Sequence, residues 1–164
     1  MNLTRTSRLI PAAAVAAMAA LALTASPALA SGHSILRADL VGSMPAPDSP
    51  KIAGINPGGA PWVNGPSSAR VREDGRFMVS ITGLVIPTAP FNHTNPIASV
   101  VATLVCDDMV RSSTAPFALS PAGDGSASGR IAGTHRCKDP VLLIQPNANR
   151  GVYIASAMSE DDDD

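Results

Sequence analysis

Few side chains of this chain could do chemistry: two cysteines, three histidines and a scattered set of aspartates. If the chain is exported, its two cysteines favour one disulfide, between Cys106 and Cys137. A catalytic thiol would instead need an unpaired cysteine beside a histidine. We therefore interpret the pair as structural, with a stabilisation of about 3–4 kcal/mol from closing the loop between them.

His33 is the histidine whose position suggests a specific chemistry. If an export signal is cleaved after Ala30, the mature chain begins Ser-Gly-His at residues 31–33. An amine, two amide nitrogens and an imidazole can hold copper(II) or nickel(II) in a square plane. The alternative, which we favour, is that His33 is third by coincidence and that the chain has no metal site. His93 and His135 are interpreted as loop residues.

No motif of the sequence supports catalysis. Residues 125–129 read Gly-Ser-Ala-Ser-Gly, with alanine where the nucleophile of a G-x-S-x-G elbow would stand. Asp107 and Asp108 are adjacent, so an acid–base pair would need Asp124 or Asp139 from elsewhere in the fold. We therefore predict a non-catalytic protein without a cofactor. A hydrolase that uses these carboxylates is left as an alternative.

The most distinctive loop runs from Asn56 to Trp62 and reads Asn-Pro-Gly-Gly-Ala-Pro-Trp. Pro57 presets φ and Gly58 tolerates a positive φ, as a type II turn requires. A tryptophan in such a loop could contact a sugar or a peptide, which makes Asn56 and Trp62 candidate binding residues. The alternative, which we prefer, is that Trp62 closes the open end of a core poor in aromatic residues.

Residues 1–30 have the pattern of a secretory signal peptide. Arg5 and Arg8 precede an apolar stretch over residues 9–24, and Ala-Leu-Ala at residues 28–30 fits a cleavage site. The apolar stretch is short for a bilayer, so we expect no membrane span after cleavage. The protein is predicted to be secreted by a bacterium, with its domain at residues 31–158.

The chain ends in an acidic tail, residues 159–164, which we predict to be disordered; a weak contact with calcium or a cationic surface is the alternative. The full chain has 12 basic and 13 acidic residues. Without the two signal arginines and the five tail acids, the domain carries a net charge of +2. So small a charge does not indicate a nucleic-acid partner.

Residues 97–106 predict the strand at the centre of the fold. Apolar residues alternate along it and many are β-branched, which is typical of a strand buried mainly on one side. The Asp-Gly turn at residues 74–75 predicts a hairpin between residues 67–72 and 76–86. Further strands are expected at residues 34–42, 110–113, 126–134, 141–144 and 151–157, and residues 51–55 and 117–120 are shorter candidates.

Eight or nine short strands without a helical pattern predict an all-β, antiparallel β-sandwich of the immunoglobulin-like or jelly-roll kind. Such a fold on an exported chain favours a binding or structural module of the cell exterior. The partner we expect is cell-wall or extracellular polysaccharide, or another protein.

Several segments resemble a family of small exported bacterial β-sandwich proteins. They are residues 54–63 (Gly-Ile-Asn-Pro-Gly-Gly-Ala-Pro-Trp-Val), residues 74–76 (Asp-Gly-Arg) and residues 137–141 (Cys-Lys-Asp-Pro-Val). A weaker similarity to the CHRD domain lies in residues 38–42 and in Gly83-Leu84, without the histidine-rich motif of that domain. The resemblance implies a β-sandwich fold and export, and it implies no particular activity.

Overall fold

The structure is a computed structural model that describes residues 32–159. The predicted signal peptide and the five acids of the tail, residues 160–164, lie outside the described residues. Within residues 32–159 there is no helix, and so none that could cross a membrane.

Every regular element between residues 32 and 159 is a β-strand, as the alternating sequence pattern predicts. Eight of the strands have four or more residues, and the other four have two. In chain order they are β1 (Ser34–Asp39), β2 (Val41–Gly42), β3 (Asn56–Pro57), β4 (Ser68–Arg72), β5 (Arg76–Ile81), β6 (Ser99–Cys106), β7 (Met109–Ser113), β8 (Phe117–Ala118), β9 (Gly125–Arg130), β10 (Val141–Pro146), β11 (Val152–Tyr153) and β12 (Ala155–Met158).

The strands form two antiparallel sheets that pack face to face. One sheet has four strands in the order β1-β4-β5-β9, and the other has the order β2-β12-β10-β6-β7, with β8 also paired to β6. A short parallel pair, β11 with β3, is hydrogen-bonded to neither sheet as a further strand. The predicted antiparallel β-sandwich is thereby confirmed. The β4–β5 hairpin is also confirmed, although β5 ends at Ile81 and not at residue 86.

The core lies between the two sheets and is built from alternate residues of each strand. On β5 the exposed and buried residues alternate strictly, so one face of the strand enters the core. Aliphatic side chains provide most of the buried surface because the chain has few aromatic residues. Fully buried members are Leu36, Val71, Val79, Val100, Leu104, Leu142 and Ile144.

The central strand β6 differs from its prediction, because both of its faces are buried. A second apolar cluster, which includes Ile52, Val105, Leu143 and Tyr153, covers the outer face of the six-stranded sheet. The segment before β3 supplies this cover, and the Tyr153 hydroxyl donates a hydrogen bond of 2.7 Å to the carbonyl of Pro50. Burial raises the pKa of Tyr153. The central strands β6 and β10 of the six-stranded sheet are therefore covered on both sides, whereas the edge strand β7 is exposed.

The first predicted strand, residues 34–42, is divided between the two sheets. β1 belongs to the four-stranded sheet and β2 to the six-stranded sheet, and the buried Leu40 lies between them. Asn64 holds this crossing, because its Oδ1 accepts from the Gly42 amide at 2.7 Å and its Nδ2 donates to the Leu40 carbonyl at 2.8 Å. The crossing places the β1 edge of one sheet beside the β2–β12 edge of the other.

We expect Gly123→Ala to destabilise the protein more than Gly54→Ala does. Both glycines have positive φ, 82° for Gly123 and 80° for Gly54. An alanine in this left-handed region costs about 1–2 kcal/mol of stability at either position. A Cβ on Gly123 would also lie 2.3 Å from the backbone nitrogen of Leu84, whereas a Cβ on Gly54 would meet nothing within 4 Å. Urea unfolding of both variants checks this, and equal losses would contradict it.

Candidate binding groove

The predicted disulfide between Cys106 and Cys137 is confirmed, with the two Cα atoms 5.1 Å apart. Cys106 is the last residue of β6 and is fully buried. Both cysteines of the chain are therefore oxidised, and neither is a free thiol. The bond is consistent with an oxidising, extracellular environment.

Trp62 lies in the core between the sheets and has only 5% of its surface exposed. Its backbone amide donates to the Ser43 carbonyl at 2.9 Å, and its indole Nε1 lies close above the Gly58 backbone. This placement agrees with the preferred interpretation, in which Trp62 closes the core. Asn56 is exposed in β3, so the two candidate binding residues occupy different environments.

The histidines are all exposed, and among residues 32–159 no group of three His, Cys, Asp or Glu residues could hold a metal ion. His33 precedes β1, and its carbonyl accepts from the Glu73 amide at 2.9 Å. The amine of Ser31 that the copper hypothesis requires lies outside the described residues. Copper or nickel binding at the mature N-terminus therefore stays a prediction.

Three of the four aspartates named as alternative catalytic residues bind groups of the protein itself. Asp107 forms an ion pair with Arg111 at 3.0 Å. Asp108 accepts from the Ala53 amide at 2.7 Å, and Asp124 accepts from the Gly83 amide at 2.9 Å. Each of these three carboxylates thus has a structural partner of its own.

The outer face of the four-stranded sheet is open, in contrast to the outer faces of β6 and β10 at the centre of the six-stranded sheet. The strand register places Arg37 of β1 opposite Arg70 of β4, then Met78 of β5 and Ser128 of β9 in the same row. All four side chains are exposed. One row of this face therefore presents two guanidinium groups and a thioether to the surroundings.

The arginines at the β4–β5 turn have an anionic partner. Asp74 lies 3.8 Å from Arg72 and 3.5 Å from Arg76, and Arg130 donates to the Asp74 carbonyl at 2.9 Å. The amide of Arg76 donates a hydrogen bond to the Asp74 carboxylate and, together with these arginines, holds its pKa below the usual value. Asp74 therefore neutralises part of the positive charge at this end of the face.

Arg37 and Arg70 differ from Arg72 and Arg76, because within residues 32–159 neither of them forms an ion pair. They are direct neighbours across two antiparallel strands, with side chains on the same face. Like charges in that arrangement repel and destabilise a sheet. An anion bound between the two guanidinium groups would remove the repulsion.

A groove of about 930 Å³ lies at this pair, where the β1 edge approaches the β2–β12 edge. Its apolar members are unusually exposed, Val41 at 64%, Met78 at 63% and Met158 at 48%. A second depression of about 480 Å³ shares Asp39, Val41 and Ser68 with it. Together they form an open surface that has two basic groups, Arg37 and Arg70, and several exposed apolar groups. We call the first of them the Arg37–Arg70 groove.

No family model, curated protein or solved structure matches this chain. The resemblance to small exported β-sandwich proteins and to the CHRD domain accordingly stays a prediction. Inference about function depends on the chemistry of the protein's own surface.

Proposed function

We propose that this protein is a secreted, non-catalytic β-sandwich that acts as a binding module of the cell exterior. We further propose that it binds an anionic polymer, such as an acidic cell-wall or extracellular polysaccharide, in the Arg37–Arg70 groove. The observation that carries the proposal is the exposed, directly opposed pair Arg37 and Arg70, which has no ionic partner within residues 32–159.

The chemistry of the pair suits carboxylate or phosphate groups. A guanidinium presents a planar fork of donors that matches either group with two hydrogen bonds. Neighbouring strands are about 4.8 Å apart, so two such forks can contact successive anionic groups or one shared group. Among the described residues that line the groove, Asp39 is the one carboxylate. The groove therefore has two positive charges and one negative charge.

The shape of the surface suits a chain that passes across it. The groove is open and continues into the second depression past Asn64 and Ser67. Exposed Met78, Val41 and Met158 can contact the apolar faces of sugar rings while the arginines hold the charges. Exposed apolar groups beside unbalanced charge are typical of an interaction surface.

The test is co-sedimentation of the secreted chain with matched acidic and neutral polysaccharides and with cell-wall preparations. The double variant Arg37→Gln/Arg70→Gln is expected to bind the acidic polymer at least about tenfold more weakly, because charge-assisted hydrogen bonds contribute about 1.5–3 kcal/mol each. Binding by the original protein is expected to weaken as salt rises.

A matched control removes the same charge elsewhere. Arg136 and Arg150 are also exposed and lie outside the groove, so Arg136→Gln/Arg150→Gln should retain most of the binding. Equal losses in the two double variants would show that net charge alone matters and would contradict the proposed site. Tighter binding to the neutral polymer, or none to any preparation, would contradict the proposed ligand class.

A further inference from the structure

The chain returns to the Arg37–Arg70 groove just before it ends. Met158, the last residue of β12, and Ser159 both line the groove together with Arg37 and Arg70. The next five residues of the sequence are Glu-Asp-Asp-Asp-Asp, residues 160–164. The most acidic segment of the sequence therefore follows directly after Ser159, a residue that lines the Arg37–Arg70 groove.

Charge and reach both allow this segment to occupy the groove. An extended chain advances about 3.3–3.6 Å per residue, so five residues after Ser159 can reach across neighbouring strands about 4.8 Å apart. Because the segment is covalently attached at the groove, its effective concentration there is in the millimolar range or above. The segment has five side-chain carboxylates and the groove has two guanidinium groups. Different pairs of carboxylates can therefore bind Arg37 and Arg70.

We propose that the acidic segment, residues 160–164, binds the Arg37–Arg70 pair within the same molecule and competes there with the external anionic polymer. The competition rests on the function proposed above, whereas the contact between segment and arginines does not. The segment takes the place of the ligand when none is present and relieves the repulsion between the two guanidinium groups. An external polymer then binds only when its affinity or its local density is high enough to displace the segment.

The contact is tested first without any polymer, by NMR of the arginine Nε–Hε groups at low salt. A chain that ends at Ser159 is compared with the chain that ends at Asp164. Removal of the segment is expected to shift the Arg37 and Arg70 signals and to leave the Arg136 signal in place. Salt at about 0.5 M should abolish the difference, since it screens exposed charges beyond a few ångströms. Unchanged Arg37 and Arg70 signals would overturn the proposal.

The same spectra distinguish an intramolecular contact from one between two copies. A shift that is independent of protein concentration supports the intramolecular contact. A shift that grows with protein concentration would mean that the segment of one copy binds the groove of another, and it would overturn the proposal as stated.

The competition is tested with an acidic polysaccharide in the co-sedimentation assay. The chain that ends at Ser159 is expected to bind about five- to fiftyfold more tightly at low salt than the chain that ends at Asp164. If the NMR signals shift but neither chain binds the polymer, the contact stands and the proposed function fails. If both chains bind equally and no signal shifts, the proposed function stands and this inference fails.

Discussion

Replacement of Trp62 by alanine is expected to lower the free energy of unfolding by about 3–5 kcal/mol, the usual loss for a large aromatic residue deleted from a core. Trp62 is 5% exposed and packs among the apolar residues between the two sheets. The surrounding backbone is held in place, because the Trp62 amide donates to Ser43 and the Gly58 amide donates to Tyr153. The cavity left by the indole would therefore close only in part.

Urea unfolding followed by circular dichroism measures this loss, since the variant lacks the chain's single tryptophan and its fluorescence. Trp62→Phe keeps much of the apolar volume and should lose less stability. Val63→Ala, at a neighbouring residue that is 41% exposed, should change stability by a small fraction of that amount. Losses under about 1 kcal/mol for Trp62→Ala would contradict a core role.

The Trp62→Phe variant also separates the two interpretations of the Asn56–Trp62 loop. A core residue can be replaced conservatively without a change in polymer binding. If Trp62→Phe remains folded and yet loses binding to polysaccharide, the loop belongs to the binding surface. If the polymer binds in the Arg37–Arg70 groove, the Trp62→Phe variant should bind polysaccharide as well as the original protein does.

Much of the fold could be predicted from the alternation of residues along each strand. The pattern of Phe77, Val79 and Ile81 against Met78 and Ser80 indicates which face of β5 enters the core, and the structure agrees. The Asp-Gly turn likewise predicts the β4–β5 hairpin, since its backbone requirement is local. Local signals of this kind do not depend on the rest of the chain.

Features that depend on distant contacts could not be predicted in the same way. The second buried face of β6 arises because Ile52 and its neighbours cover Val105 and Leu143. That covering segment follows a proline-rich connection, and the strand expected at residues 51–55 is replaced by an isolated bridge between Ile52 and Ile55. Nothing in residues 97–106 alone reveals the cover, because burial of the outer face is a property of the tertiary fold.

The candidate site was missed for a related reason. Alternation assigns Arg37 and Arg70 to the outer faces of their strands, but only the pairing register shows that they are opposite each other. The sequence instead offered Asn56 and Trp62 as candidate binding residues, although the preferred interpretation already placed Trp62 in the core. The acidic segment is the part of the sequence for which a cationic surface was considered as a partner, and the proposed contact with Arg37 and Arg70 follows from that alternative.

Removal of the Cys106–Cys137 disulfide is expected to lower the free energy of unfolding by about 3–4 kcal/mol. The bond closes a loop with a sequence separation of 31, and the unfolded chain gains the corresponding conformational entropy when the bond is absent. The double variant Cys106→Ala/Cys137→Ala is suitable because Cys106 is fully buried, where a serine hydroxyl would need a new partner. Urea unfolding of the variant and of the original protein measures the difference.

The original protein in reducing agent is the matched control, because it loses the bond and keeps both sulfur atoms. The reduced protein and the alanine variant should agree to within about 1 kcal/mol, the usual scale of a small change in core volume. Two backbone hydrogen bonds, from Asp107 to the Lys138 carbonyl and from Cys137 to the Thr134 carbonyl, hold the same loop. If both forms lose less than about 1 kcal/mol, the entropic account of the disulfide is wrong for this loop.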